Sequence, residues 1–239
     1  MLKKPLINHK AHLIAAILLF VTFQLIVTYL MYNVAFSLFS YVCIIFSCIF
    51  CAFLSDGSRS ALFTQIGLLG TVGADLFLVF LPVQRRVPGM ICFCVTQIAY
   101  FLRIYHEDDH PLRRKLHLIL RAVASVSLVA ATFIVLGSRV DAVSVLSLFY
   151  YANLACNVIF AFLHFKKSGV LALALLAFLL SDTLLGFSSL SDYFLIPRGS
   201  FIYSVLYFGR GLFYPLYIIS QIAIPLSLAS RKWKSIEKR

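Results

Sequence analysis

The stretch VLALALLAFLLSDTLLGFSSL, residues 170–190, carries one ionisable side chain, Asp182, in a run that is otherwise apolar or hydroxyl-bearing. Its length decides the fold. Roughly 20 such residues, wound as an α-helix, cross the ~30 Å hydrocarbon layer of a bilayer. Comparable runs recur at about 11–31, 34–54, 61–81, 87–105, 116–136, 143–165 and 203–229, so eight spans are expected. The first follows MLKKPLINHK but is too long for the apolar core of a secretory signal, and no small-residue cleavage site follows it. It is read as a span.

Composition agrees with this reading. Of 239 residues 62% are hydrophobic and 13% charged, which excludes an ordinary soluble domain. A spanning segment must satisfy its own backbone hydrogen bonds, so the expected fold is an all-α, polytopic bundle of eight transmembrane helices. The short connections make residues 1–239 one transmembrane domain. The net charge of +12 does not point to nucleic acid, because the basic residues sit between spans. Of the 21 Lys and Arg, Arg103, Arg121 and Arg210 fall inside spans and Arg85, Arg86, Arg139 and Arg198 on one side. The other fourteen share the side of both termini, Lys166 and Lys167 among them. This asymmetry predicts a multi-pass protein of the cell or inner membrane with both termini cytoplasmic.

Span 4 contains Val95-Thr96-Gln97-Ile98-Ala99 and span 8 Ile219-Ser220-Gln221-Ile222-Ala223, each following a span with an aspartate. The echo leaves open a four-plus-four internal duplication of the parallel kind. All six cysteines fall within spans, and Cys48-Ile-Phe-Cys51 has no His or acid near it in sequence, so buried, inert thiols are expected. His106-Glu107-Asp108-Asp109-His110 matches H-E-x-x-H. Zinc chemistry needs both histidines on one face of a stable helix in a dry cleft. Here Pro111 and three basic residues follow, so a solvated interfacial loop is expected, with no metal and no cofactor.

Asp75 and Asp182 carry the strongest signal. They are the two acids, of nine, that lie inside spans. A charged aspartate near the bilayer centre costs at least about 2.5–3.5 kcal/mol, so a functional use is the default reading. Asp75 lies 16 residues beyond Arg59 and Asp182 15 beyond Lys167, on spans running in the same direction. At ~1.5 Å per residue both sit roughly 22–24 Å past those anchors, where two carboxyls on neighbouring helices can meet. The alternatives are a structural role, each acid neutral and hydrogen-bonded to a partner helix, and a proton relay in a small proton-coupled transporter. Tyr150, Asn153 and Asn157 share one stripe of span 6, while Gln97 with Tyr100, and Tyr217 with Gln221, mark spans 4 and 8. Each is read as an interhelical hydrogen bond or a substrate contact. Gln97, Tyr100, Asn153, Asn157, Tyr217 and Gln221 form the candidate substrate-binding set. Gly67, Gly70 and Gly73 read as sites of close helix packing, and Arg103 and Arg121 as side chains snorkelling to the cytoplasmic surface.

Together these residues resemble the YhhN family of membrane lysoplasmalogenases. A glycine-containing span ending in Asp is similar to Gly67-Leu-Leu-Gly70-Thr-Val-Gly73-Ala74-Asp75. The form G-x3-F-x3-(H/Q)-x2-Y is met by Gly89, Phe93, Gln97 and Tyr100, F-x2-S-D by Phe178, Ser181 and Asp182, and Y-x3-Q by Tyr217 and Gln221. Ala74 departs from the family's usual glycine, and Gln97 stands where many members have histidine. The resemblance implies hydrolysis of the vinyl ether of alkenylglycerophosphocholine or alkenylglycerophosphoethanolamine to a fatty aldehyde and a glycerophospho-headgroup, with Asp75 and Asp182 catalytic. It also implies a lysophospholipid substrate and membrane lipids as partners, with no nucleic acid and no cofactor. An intramembrane aspartyl protease is disfavoured, because Gly-Ala-Asp and Ser-Asp stand in place of Tyr-Asp and Gly-x-Gly-Asp.

Cysteine labelling or reporter fusions should place Lys166, Lys167 and the C-terminal tail in the cytoplasm and residues 191–200 outside. An external C-terminus contradicts the span count.

Overall fold

The computed structural model describes residues 4–31, 36–81, 85–189, 197 and 199–237. Lys3, Arg198, Lys238, Arg239, most of the 191–200 connection and the side chain of Arg210 lie outside the described part. Among the described residues eight α-helices follow one another: α1 (Lys4–Met31), α2 (Phe36–Leu54), α3 (Arg59–Asp75), α4 (Arg86–Glu107), α5 (Pro111–Leu136), α6 (Ala142–Leu163), α7 (Phe165–Ser189) and α8 (Phe201–Glu237). Seven are long and apolar enough to cross a membrane, and in α2 the described apolar stretch is Tyr41–Leu54. Among the described residues there is no strand. The chain is an all-α polytopic bundle.

Local chemistry sets the helix ends. Ser58 caps α3 by accepting the Ala61 N–H at 3.3 Å. Asp141 and Ser144 cap α6 reciprocally, the Ser144 N–H meeting Asp141 Oδ1 at 2.7 Å. Pro111 opens α5, and Gly137, at φ +53°, stops it.

The helices close on one another in a defined order. α3 packs on α4, α4 on α6, α6 on α7, α7 on α8, and α8 back on α3; α2 covers α3 and α8, α1 covers α2 and α8, and α5 covers α6. Each helix packs on the next within both halves, and the pairing of α4 with α6 is matched by that of α8 with α2. Among the described residues, the pairings of α1 and α3 with α8 have no counterparts of similar extent between α5 or α7 and α4, so the two halves are not packed alike throughout.

The α3–α4 seam depends on small residues. A Cβ built on Gly67 would lie 2.3 Å from Cε1 of Tyr100, and one on Gly70 2.5 Å from Oγ1 of Thr96. With the glycines, Thr96 Oγ1 reaches the Gly67 carbonyl at 3.1 Å, an interhelical hydrogen bond sealed from water. α5 shows the inverted amphipathicity of a lipid-facing helix. Its buried residues are His117, Ser125 and Thr132, while Leu116, Ile119, Val123, Val126 and Ile134 are exposed.

The HEDDH stretch departs from the expected solvated loop. His106 and Glu107 end α4, and Asp108–His110 form the turn into α5. Glu107 Oε1 lies 3.4 Å from Arg103 Nε and 3.1 Å from Arg231 Nη1, and Oε2 accepts from Ser168 Oγ at 3.1 Å. Asp108 is buried, with Oδ1 2.9 Å from His164 Nε2 and accepting the His110 N–H at 2.9 Å. Its carbonyl accepts from Arg114 Nε at 2.7 Å. The acids thus tie together the ends of α4, α5, α6, α7 and α8, because apolar helix faces alone leave the axial register of a bundle poorly fixed. Asp109 stays in solvent beside Lys167, whose hydrogen bond and charge hold its carboxyl below the usual range. His106 and His110 are exposed, the former stacked on Phe63 at 5.5 Å. Among the described residues no three His, Cys, Asp or Glu are grouped to hold a metal. All six cysteines are free, with Cys48 and Cys92 half-buried and the other four buried.

Asp108→Ala removes the acceptor of the His110 N–H and a buried carboxylate beside His164, and should cost about 1–3 kcal/mol, read as a lowered thermal midpoint in detergent. Replacing both His106 and His110 with alanine, or adding a strong chelator, should leave the midpoint unchanged. A larger loss from the histidine pair than from Asp108→Ala contradicts this account.

Candidate functional site

Asp75 is the last residue of α3 and is 4% exposed. Immediately after it, Leu76–Phe80 widen into a π-helical turn closed by the Leu81 N–H to the Leu76 carbonyl at 3.0 Å. Single π turns inside helices recur at functional sites, where they re-aim a side chain. Here the turn follows the carboxyl directly. Asp75 Oδ1 accepts a hydrogen bond from the Tyr217 hydroxyl of α8 at 2.9 Å.

Asp182 sits half-buried on α7, where its Oδ2 accepts from the Tyr150 hydroxyl of α6. The preceding Ser181 donates to the Phe213 carbonyl at 2.7 Å and so pins α7 to α8 beside the carboxyl. Phe178, one turn earlier and fully buried, meets the Tyr217 ring edge-on at 5.6 Å and the Tyr150 ring at 6.5 Å. Phe93 of α4 completes the wall, 5.3 Å from Tyr150 and 6.2 Å from Phe178. The two carboxyls are therefore linked through one aromatic cluster: Asp75 through Tyr217 and Asp182 through Tyr150, both rings packed on Phe178. Their helices are not face to face. α3 and α7 meet through α8, which packs on both.

The other sequence candidates divide into two groups. Gln97, Tyr100 and Gln221 are fully buried, yet Gln97 Nε2 and Gln221 Oε1 have no protein partner. The Tyr100 hydroxyl, beside Thr71, makes no hydrogen bond of ordinary geometry. Such orphaned atoms are rare in a dry interior and mark capacity for a polar ligand or water. Asn153 and Asn157, by contrast, are engaged by protein. Arg121 donates at 2.5 Å to Oδ1 of each, through Nη1 and Nη2 respectively. Their amides donate to the Phe149 carbonyl at 2.7 Å and to Gln97 Oε1 at 3.0 Å.

Two arginines turn inward rather than snorkelling. Arg103 is 2% exposed, and its Nη1 donates to Thr64 Oγ1 at 2.9 Å. Glu107, one turn on, supplies its countercharge, so it gains more inside than at the surface. Arg121 points across to α6 and lies over the Phe101 ring at 4.2 Å. Sequence reasoning placed Tyr150 on the Asn153–Asn157 stripe without choosing it for the site. The signal was its position, one turn from Asn153 and two from Asn157 on the same face of the helix.

A family model described as the YhhN family matches residues 32–228, more than half of the chain. The chain belongs to that family. No curated protein and no solved structure compared with it matches.

Removing one partner of the Asp75–Tyr217 bond should leave the other with an unmet buried group. Asp75→Ala and Tyr217→Phe, measured singly and together by thermal unfolding in detergent, should therefore be non-additive by about 1 kcal/mol. Strict additivity means that the two side chains do not interact.

Proposed function

We propose that this protein hydrolyses the vinyl ether bond of lysoplasmalogens, alkenylglycerophosphocholine or alkenylglycerophosphoethanolamine, with Asp75 and Asp182 as an acid–base pair. One observation carries the reading: two membrane-embedded carboxyls are each held by a tyrosine hydroxyl, and the two tyrosine rings pack on the same phenylalanine, Phe178. Family membership and the ordered motifs support it, the first from the matched residues 32–228.

The chemistry needs one proton donor, one base and water. Two carboxyls sharing one low-dielectric site resist double ionisation, so one holds a proton while its partner is a carboxylate. The protonated acid delivers its proton to the β-carbon of the vinyl ether, and the double-bond electrons move to form the new C–H bond. The ether oxygen shares its lone pair with the α-carbon, giving an oxocarbenium ion. The carboxylate takes a proton from water as its oxygen adds to that carbon. The hemiacetal then breaks its C–O bond to the glycerol, a proton passes to the departing alcohol oxygen, and a fatty aldehyde leaves. Tyr150 and Tyr217, donating to Asp182 and Asp75, fix the two carboxyls in place. Phe178 and Phe93 pack against the tyrosine rings that hold the carboxyls, and the unpartnered atoms of Tyr100 and Gln221 supply hydrogen bonds for the glycerol.

Purified protein in detergent should release aldehyde from lysoplasmalogen and none from the saturated-ether analogue. Asp75→Asn and Asp182→Asn should each lower turnover on the order of 10²–10⁴-fold, as expected for loss of one acid–base role. The double variant should be little worse than either single, because the residues act as a unit. Near wild-type turnover in either folded single variant overturns the pair. Proton-coupled substrate uptake into sealed vesicles, with no turnover in detergent, identifies a transporter instead.

A further inference from the structure

Arg121 is a charge without a countercharge. Among the described residues no carboxylate lies within ion-pair distance of its guanidinium, which is met instead by the neutral oxygens of Asn153 and Asn157. His117 Nε2 lies 3.0 Å from Nη2. A guanidinium has donors only, so that nitrogen is the acceptor and the imidazole is neutral. The Arg121 Nε–H remains buried with no protein partner. Through Asn157 the cluster continues to Gln97, which is fully buried and whose Nε2 is also unpartnered. The contrast is Arg103, inward-facing in the same way but balanced by Glu107. A purely structural arginine in this setting is better served by a carboxylate, because an uncompensated charge in the membrane interior is costly.

We propose that Arg121, with Gln97 beside it, is the subsite for a phosphate anion, the phosphodiester of the lysophospholipid headgroup. This rests on the vinyl-ether hydrolase reading. Guanidinium groups suit phosphate through paired, charge-assisted hydrogen bonds, and both unpartnered atoms here are donors. The spacing agrees with the substrate. On α6, Tyr150 holds Asp182 while Asn153 and Asn157, three and seven residues further on, hold Arg121. At ~1.5 Å per residue the two sites are about 5–10 Å apart along the helix axis. Seven bonds separate the vinyl-ether β-carbon from phosphorus, and three-bond peptide units extend ~3.3–3.6 Å, so seven bonds reach about 8 Å. A phosphate at Arg121 sets the double bond beside the carboxyls. It also orients the substrate with its headgroup towards the C-terminal end of α6, which the charge asymmetry assigns to the cytoplasm.

The test compares two saturated ethers, 1-alkyl-glycerophosphoethanolamine and the phosphate-free 1-alkylglycerol, by binding to purified protein. Wild type should bind the phosphate-bearing ether at least tenfold more tightly. Arg121→Gln should abolish that preference and leave alkylglycerol binding unchanged, and Arg121→Lys should retain part of it. Competition by millimolar inorganic phosphate supports the anion subsite and extends it to free phosphate. Retained preference without such competition assigns the subsite to lipid-borne phosphate alone. Equal binding of the two ethers by wild type, a preference that survives Arg121→Gln, or equal loss of both ethers in a folded Arg121→Gln variant overturns the proposal. Binding is read without turnover. Phosphate preference with no aldehyde release therefore leaves the subsite standing and removes the hydrolase reading, while aldehyde release without the preference does the reverse.

Discussion

A carboxyl placed in hydrocarbon must find its partners inside the protein, and this requirement organises the bundle. Hydrocarbon offers Asp75 and Asp182 no partner, so each takes a tyrosine hydroxyl from another helix: Tyr217 of α8 for Asp75 and Tyr150 of α6 for Asp182. Those bonds join α3 to α8 and α6 to α7, two of the contacts that close the ring. The same rule explains α5, which turns His117, Ser125 and Thr132 inward and leaves its leucines and valines to lipid. Polar residues mark the inside of this protein, and apolar residues mark both the core and the outer surface.

Close backbone approach provides the precision that polar contacts alone lack. Gly67 and Gly70 bring α3 so near α4 that Tyr100 and Thr96 occupy the space of the missing side chains. Directly beyond this rigid seam the chain widens into the π turn at Leu76–Phe80, so Asp75 stands at the junction of a fixed segment and an irregular one. On the opposite side, Ser181 anchors α7 to the Phe213 carbonyl next to Asp182. Both carboxyls are therefore placed by neighbours in sequence that lock the backbone, which suits an acid–base pair that must keep its geometry.

Helix number and class were legible because the hydrocarbon thickness imposes a length that apolar runs display directly. The two aspartates were legible for the complementary reason, that a charge interrupting such a run is conspicuous. Periodicity shows which residues share a helix face but not which helix that face meets. Tyr150 and Asn153 therefore read as one stripe although they serve Asp182 and Arg121 respectively. Arg103 and Arg121 read as snorkelling from their distance to the span ends, since the carboxylate and amides that draw them inward lie on the next turn or on another helix. The acids of HEDDH read as solvated because their partners, His164, Ser168 and Arg231, are remote in sequence.

The central claim is that the two intramembrane carboxyls act as a pair holding one proton between them. Infrared absorption of protonated carboxyl groups tests it directly in purified protein at neutral pH, with the spectrum of the Asp75→Asn, Asp182→Asn double variant subtracted from that of wild type. The account predicts that the difference contains one protonated carboxyl and one carboxylate. Two carboxylates and no protonated carboxyl, or two protonated carboxyls and no carboxylate, would contradict it.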